Sequence, residues 1–161
     1  MAEFITFKIS GMDQLQKRLE ELEKKAAKKI VRRGISAGAK IVRDAMVAFA
    51  PKKKGIVFTK SHFRWAIKMR SDELAGDARI GPTTEDIFYP VNGVKPKNKN
   101  DHRNEAEGIY GHKVNAAQIA RYFEFGTKHQ GAKPFLSQAF DSVKTKVQQV
   151  VADFIREELG L

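Results

Sequence analysis

The histidines are the residues of this chain that could most readily bind a metal, and there are four of them, His62, His102, His112 and His129. Two of these, His102 and His112, share a polar stretch with Asn115, a combination loosely similar to a histidine-rich nuclease site. The spacing matches no nuclease motif, and a pliable loop cannot hold metal ligands with the required precision. We therefore expect no metal site.

Covalent and acid–base catalysis have no better candidates. Glu124 and Lys128 could form the carboxylate–lysine pair of a nuclease, but no second carboxylate accompanies them, and Glu124 belongs to a short apolar helix that ends in glycine. No serine occupies a nucleophile elbow, no glycine-rich phosphate loop follows a strand, and the chain has no cysteine. We expect no catalytic residue and no cofactor, so the chain is not expected to be an enzyme.

Positive charge is concentrated in one part of the chain. The net charge is +11, and residues 13–70 hold 17 basic and 5 acidic groups, a net of +12. This imbalance favours an anionic partner, either nucleic acid or an acidic protein surface, although a solvated basic helix gives the same pattern. The candidate partner surface is a basic ribbon at helical spacing plus a basic turn: Lys24, Lys25, Lys28, Arg32, Lys52, Lys53 and Lys54.

A mixture of aromatic and basic residues offers a second route to nucleic-acid binding. His62-Phe63-Arg64-Trp65 could contact a phosphate backbone and stack a base. The residues alternate as in a strand, however, which places Phe63 and Trp65 on the face that a sheet buries. Core packing is the favoured role for both rings.

Length and hydropathy indicate one domain, 1–161, made in the cytoplasm. The first residues lack a basic segment followed by a long apolar run, and no stretch approaches the roughly 18 apolar residues that a membrane helix needs. We expect neither a signal peptide nor a membrane partner.

The first half of the chain predicts a strand followed by a long helix. Residues 3–9 alternate between apolar and polar, and Asp13 is typical of a helix N-cap. The predicted helix runs from about 13 to 49, where Pro51 ends it. Its beginning, 13–30, is expected to be an arm with one narrow apolar stripe: Leu15, Leu19, Leu22, Ala26 and Ile30.

The second half predicts strands at 63–70 and 78–81, then an extended polar loop over 82–114. A short helix should follow Asn115 and end at Gly126, and Pro134 should open a last helix that packs on the first one. The predicted fold class is α+β: a small antiparallel sheet packed by a long N-terminal helix and a C-terminal helix, with a long polar loop.

Several segments resemble one known family. The most specific is the block of Glu124, Phe125, Gly126 and Thr127 followed by Pro134 and Phe135. The start, Ile9-Ser10-Gly11-Met12-Asp13, and the turn Ala50-Pro51-Lys52-Lys53-Lys54-Gly55 are similar too. Together they resemble the tail-completion or neck proteins of long-tailed bacteriophages, a family typified by a tail component of a lambdoid coliphage.

The resemblance implies a virion structural protein of the head–tail junction. It implies a homo-oligomeric ring, expected to be six-fold, around the DNA channel. Its partners would be adjoining neck, tail-terminator or tail-tube proteins, with non-specific DNA inside the ring. The resemblance and the glycine turn lead us to expect Phe125 in the core and Gly126 at positive φ. The alternative function is a basic nucleic-acid-binding protein of mobile-element origin.

Overall fold

The structure of the protein is a computed structural model that describes residues 5–7, 17, 22–52, 56–70, 74–90, 101–104 and 109–161. A three-stranded antiparallel sheet forms from β1 (Ile5–Phe7), β2 (Phe63–Met69) and β3 (Gly76–Pro82), in the order β1-β3-β2. Trp65 of β2 pairs with Ile80 of β3. The strands predicted from alternation are therefore confirmed.

The long helix α1 (Lys24–Phe49) packs over this sheet. It begins at Lys24 because Glu23 has ψ 130°, which is extended backbone. The prediction of one helix from about residue 13 is thus wrong at Leu22 and Glu23. Most of the predicted arm before Leu22 lies outside the described residues.

The apolar stripe predicted for 13–30 is only partly confirmed where the structure describes it. Ile30 is partly buried against the core, but Leu22 and Ala26 are exposed, whereas Ala27 and Val31 are buried. A shift of one residue rotates a helix face by about 100°, so the core-facing side differs from the predicted side. The face that reaches the core contains Ile35, Ala39, Val42 and Met46 as well.

The last helix spans Phe135–Leu159 and packs against α1. A side chain at Gly34 would bring a Cβ within 3.2 Å of Ile155 and 3.4 Å of Val151, so glycine permits the close approach of these helices. Val147, Val151 and Ile155 form the buried seam. The predicted pairing of the first and last helices is confirmed.

A second three-stranded antiparallel sheet occupies much of the segment predicted as the 82–114 loop. It contains β4 (Asp86–Pro90), β5 (Asp101–Asn104) and β6 (Ile109–Asn115), in the order β4-β6-β5. The loop prediction is therefore wrong at these residues. Much of the local sequence is polar, so backbone pairing dominates in this sheet. Ile87, which lies opposite Val114, is buried.

The shorter helix, α2 (Ala116–Phe125), follows β6 directly, so the Phe135–Leu159 helix is α3. Asn115 caps α2, because its side-chain oxygen accepts a hydrogen bond of 2.7 Å from the Gln118 backbone N–H. This cap was predicted. The fold class is confirmed as α+β, with antiparallel sheets packed by a long helix and a C-terminal helix.

Candidate functional site

The junction between α2 and α3 is held by a buried carboxylate. Glu124, 7% exposed, accepts hydrogen bonds from the backbone N–H of Leu136 at 3.0 Å and from the hydroxyl of Ser137 at 2.9 Å. The Ser137 backbone N–H adds a longer contact of 3.4 Å. Pro134, at the N-cap of α3, supplies no side-chain cap. Glu124 therefore takes the capping role from another helix, where its charge also complements the helix dipole.

Gly126 makes the reversal that brings Glu124 to α3. Its φ is 78° and its ψ is −178°, a conformation essentially restricted to glycine. A Cβ at this position would lie 2.7 Å from the carbonyl oxygen of Gln130 and 2.8 Å from the nitrogen of Ala132. The predicted positive φ is confirmed. Glycine is required here by the torsion angle and by the close backbone approach.

The turn after Gly126 is closed by backbone hydrogen bonds. The Thr127 N–H donates to the Gln130 carbonyl at 2.7 Å, and the Lys133 N–H donates to the Phe123 carbonyl at 2.6 Å. The Thr127 hydroxyl oxygen accepts from the His129 N–H at 3.2 Å. These contacts return the chain to the end of α2, so the turn has little freedom to change shape.

Phe125 is exposed, contrary to the sequence prediction. It is 53% exposed, whereas Phe123, two residues earlier, is buried. The buried face of α2 contains Ala116, Ile119, Ala120 and Phe123. Residues at the spacing of Tyr122 and Phe125 share a different face, and Tyr122 is 42% exposed. Two large aromatic side chains therefore lie on the surface of a rigid junction.

Phe135 is the aromatic anchor of the motif. It is buried, and its ring centroid lies 5.7 Å from that of Phe58 and 6.3 Å from that of Phe63. These separations are typical of favourable aromatic pairs in a core. Phe63 is a core residue, as its position in β2 predicted. Pro134 is exposed and precedes the first residue of α3.

The basic ribbon lies at the start of α1. Lys24, Lys25 and Arg32 are exposed, and Lys28 is half-buried. Lys52, in the basic turn, is exposed, while Lys53 and Lys54 lie outside the described residues. Within Lys24–Phe49 the sequence has eight basic residues and one acidic residue, Asp44. The ribbon is thus part of a wider basic surface on this helix.

Arg64 and Trp65, part of the aromatic and basic mixture in the sequence, belong to a cluster of charges whose other members were not predicted. Arg43 lies over the Trp65 ring at 5.1 Å, and Asp44 accepts hydrogen bonds from Arg43 at 3.0 Å and from Lys60 at 3.1 Å. Arg64 contacts Glu85 at 2.6 Å. The cations of the cluster line an open pocket of about 390 Å³. Sequence reasoning missed it because α1, a short turn and β2 each contribute one cation.

The Asp44 carboxylate has a pKa below its ordinary value. Partial burial acts to raise the pKa of Asp44, but hydrogen bonds from Lys60 and Arg43, together with their positive charges, outweigh burial and hold the pKa below its ordinary value. Asp44 therefore stays ionised at neutral pH. Its charge is paired with Arg43 and Lys60, two of the cations that line the pocket.

Among the described residues, no group of three or more His, Asp or Glu side chains is placed to hold a metal ion. His102 and His112 are in the paired strands β5 and β6, not in a loop. Glu124 is engaged with α3, which gives its carboxylate a structural role. No helix within the described part of the chain is both long and apolar enough to cross a membrane.

A family model described as "Bacteriophage HK97-gp10, putative tail-component" matches residues 13–126. The match covers most of the chain. The protein belongs to the HK97-gp10-like family of phage tail components. No curated protein and no solved structure gives a significant match.

The family match ends at Gly126, the residue that reverses the chain after α2. It includes Glu124, Phe125 and Gly126 of the junction and the basic ribbon. It does not include Pro134, Phe135 or the rest of α3. The residues of α3 that donate hydrogen bonds to Glu124 therefore lie beyond the matched span. Their role is inferred from the geometry of this chain alone.

Proposed function

We propose that this tail component is a non-enzymatic structural subunit of the head–tail junction. It would act in the neck or in tail completion, as one subunit of an oligomeric ring that joins tail to head. The family match over residues 13–126 carries this proposal. In such a role the protein is a component of the virion, and its function is to present fixed surfaces to its neighbours.

The α2–α3 junction supports a structural role. Tyr122 and Phe125 are exposed on a helix whose end is held by Gly126 and by the Glu124 hydrogen bonds. Exposed aromatic side chains on a rigid element are typical of interface anchors, because little conformational entropy is lost when they are buried. Partners in this proposal are other copies of the chain and adjoining neck, tail-terminator or tail-tube proteins.

Particle composition and morphology test the proposal together. Phage lacking the gene are grown with and without a plasmid copy, and particles are purified from each culture. We expect the protein in complemented particles at a fixed number of copies, and separate heads and tails without the plasmid. Absence of the protein from purified complemented particles would refute a virion role. Normally joined particles without the protein would refute a role at the junction.

A basic nucleic-acid-binding function is the second candidate, and the charge of α1 favours it. Lys25, Lys29 and Arg32 are exposed on one side of this helix, and Arg43 continues the row toward Lys60. Under this alternative the isolated protein binds duplex DNA with an affinity that falls steeply with salt. Inside a ring the same surface could contact DNA without sequence preference. Tight DNA binding together with absence from particles would favour the alternative.

A further inference from the structure

The open face of α1 carries a row of positive charges. Lys25, Lys29, Arg32 and Lys40 are all exposed, and at about 100° of rotation per residue they share an arc of about 80°. We call these four residues the cation row. It extends about 22 Å along the helix at 1.5 Å per residue. Ser36, which is half-buried, lies on the same arc between Arg32 and Lys40.

The cation row faces away from the helix that packs against α1. Ile155 and Val151 of α3 approach α1 at Gly34. Gly34 lies about 160° around the helix from the centre of the row. The contact with α3 therefore occupies the opposite side of α1, and the row is on the side that a partner can reach.

The charges of the cation row are not paired with carboxylates. No ion pair or hydrogen bond joins its side chains to another residue in the described part of the chain. Asp44, the only acidic residue of α1, is bound instead to Arg43 and Lys60. Arg43 lies on the same arc, but we leave it out of the row because its charge is already paired. The row thus keeps four charges for an external anion.

The cation row also lacks the apolar centre that anchors most contacts between proteins. No large hydrophobic side chain is exposed between Glu23 and Ala48, and the exposed Leu22 and Phe49 lie at the two ends of the helix. Protein interfaces are anchored by aromatic and aliphatic groups at their centre. Contacts to phosphates need only cations and hydroxyl or N–H donors. The row provides the second kind of surface.

From these observations we infer that the cation row binds the phosphate backbone of duplex DNA. Each strand of the duplex has one phosphate for about 3.4 Å of its axis, so a row of about 22 Å spans roughly six of them. Four of these phosphates meet a cation of the row, and the Ser36 hydroxyl is a neutral donor for another. Backbone contacts hold no sequence information, so the binding is independent of base sequence.

The inference deepens the proposed function by assigning DNA to one named surface of the structural subunit. It rests on that function only for where the contact is used, which is the assembled particle. The binding itself is a property of the isolated chain. DNA binding and incorporation into particles therefore test the inference and the proposed function separately.

Two variants of the full chain test the assignment. The row variant combines Lys29→Gln with Lys40→Gln, which removes two charges and keeps good helix formers. The matched control combines Lys144→Gln with Lys146→Gln on α3, because these lysines are also exposed but lie about 200° apart around their helix. The control has the same total charge without a change in the row. Far-ultraviolet circular dichroism and thermal unfolding verify that both variants remain folded.

Fluorescence anisotropy then measures binding to two labelled duplexes of unrelated sequence between about 50 and 200 mM salt. We expect the wild type to bind both duplexes equally. The slope of log affinity against log salt should be near about −3.6, from about −0.9 for each of four phosphates. The row variant should bind at least about 10-fold more weakly at the lowest salt, with a slope shallower by about 2. The control should stay within about 3-fold of the wild type, because isolated exposed charges are screened.

Three results would overturn the inference. The first is no binding to duplex at about 100 μM protein and about 50 mM salt. The second is an equal loss of affinity in the row variant and the control. The third is tighter binding to poly-L-glutamate than to duplex at the same concentration of charge, which would assign the row to an acidic protein. None of these results affects the virion role if the protein is present in purified particles. Row-dependent DNA binding by a protein that is absent from particles would instead reject the proposed function and retain the inference.

Discussion

Glu124 Oε2 accepts a hydrogen bond of 3.0 Å from the backbone N–H of Leu136, across 12 residues of sequence and between two helices. Because the carboxylate is buried, the free N–H groups of the first turn of α3 would lose a charged acceptor on its removal. We expect Glu124→Ala to lower the free energy of unfolding by about 2–3 kcal/mol. Glu124→Gln keeps one acceptor oxygen and should cost less. Urea denaturation measures both, with exposed Glu157→Ala as the control; equal midpoints for Glu124→Ala and the control would contradict this role.

Gly126→Val should be the most damaging single change in the junction. The φ of 78° disfavours a β-branched residue, and the new Cβ would lie within 3 Å of two backbone atoms. We expect a loss of about 3 kcal/mol or more in the free energy of unfolding. Gly131→Ala is the control, because a Cβ there meets nothing within 4 Å. If Gly126→Val unfolds at the same temperature as the control, the turn does not require glycine at position 126.

The sequence predicted those features that depend on local pattern. The alternation of β2 and the glycine after α2 are visible within a few residues, and both were located correctly. The partner of Glu124 was not visible, since Leu136 and Ser137 become its donors only when α3 folds back. Phe125 was placed in the core because an aromatic residue beside a glycine turn often anchors it, whereas the helix phase buries Phe123 instead.

The second sheet was missed for a related reason. The strand β5, Asp101–Asn104, has the sequence Asp-His-Arg-Asn, with no apolar alternation and no residue of high β-propensity. Its strand structure comes from backbone pairing with β6, in which His102 is opposite Gly111. Pairing through the backbone alone leaves no periodic apolar signal in β5. A polar segment of this kind therefore resembles a loop when it is analysed alone.

Gly34→Leu should separate the α1–α3 pair. A Cβ at Gly34 is already 3.2 Å from Ile155, so a larger side chain must displace the seam of α3. Overpacking of this kind typically costs about 1–3 kcal/mol. Ala26→Leu is the matched control, because Ala26 is exposed on the same helix. The midpoint temperature of thermal unfolding should fall for Gly34→Leu and stay unchanged for Ala26→Leu. A rise in stability from the added helix propensity would show that the seam can adjust.

Acid should weaken the Asp44 contacts. The pKa of Asp44 is lowered in the folded state, so its stabilising contribution is present above the pKa of the unfolded chain and is lost as pH falls through the folded pKa. Its side chain is 45% exposed, so we expect about 0.5 kcal/mol or less. Urea midpoints of the wild type and Asp44→Asn should differ at pH 7, and the difference should shrink as the pH falls below about 4. A difference that does not shrink between pH 5 and pH 3 would contradict this.

The basic ribbon should affect association more than folding. Lys25 and Arg32 are exposed, so reversing both charges should change the free energy of unfolding by no more than about 0.5 kcal/mol per site. Binding to an anionic partner should weaken, and the loss should be smaller at high salt because exposed charges are screened. The double variant Lys25→Glu/Arg32→Glu is compared with the control Lys144→Glu/Lys146→Glu on α3. The measurements are the amount of each variant incorporated into purified particles and the salt dependence of its DNA binding. Unfolding of the first variant would show that the ribbon is structural, and equal effects of both variants would show that only total charge matters.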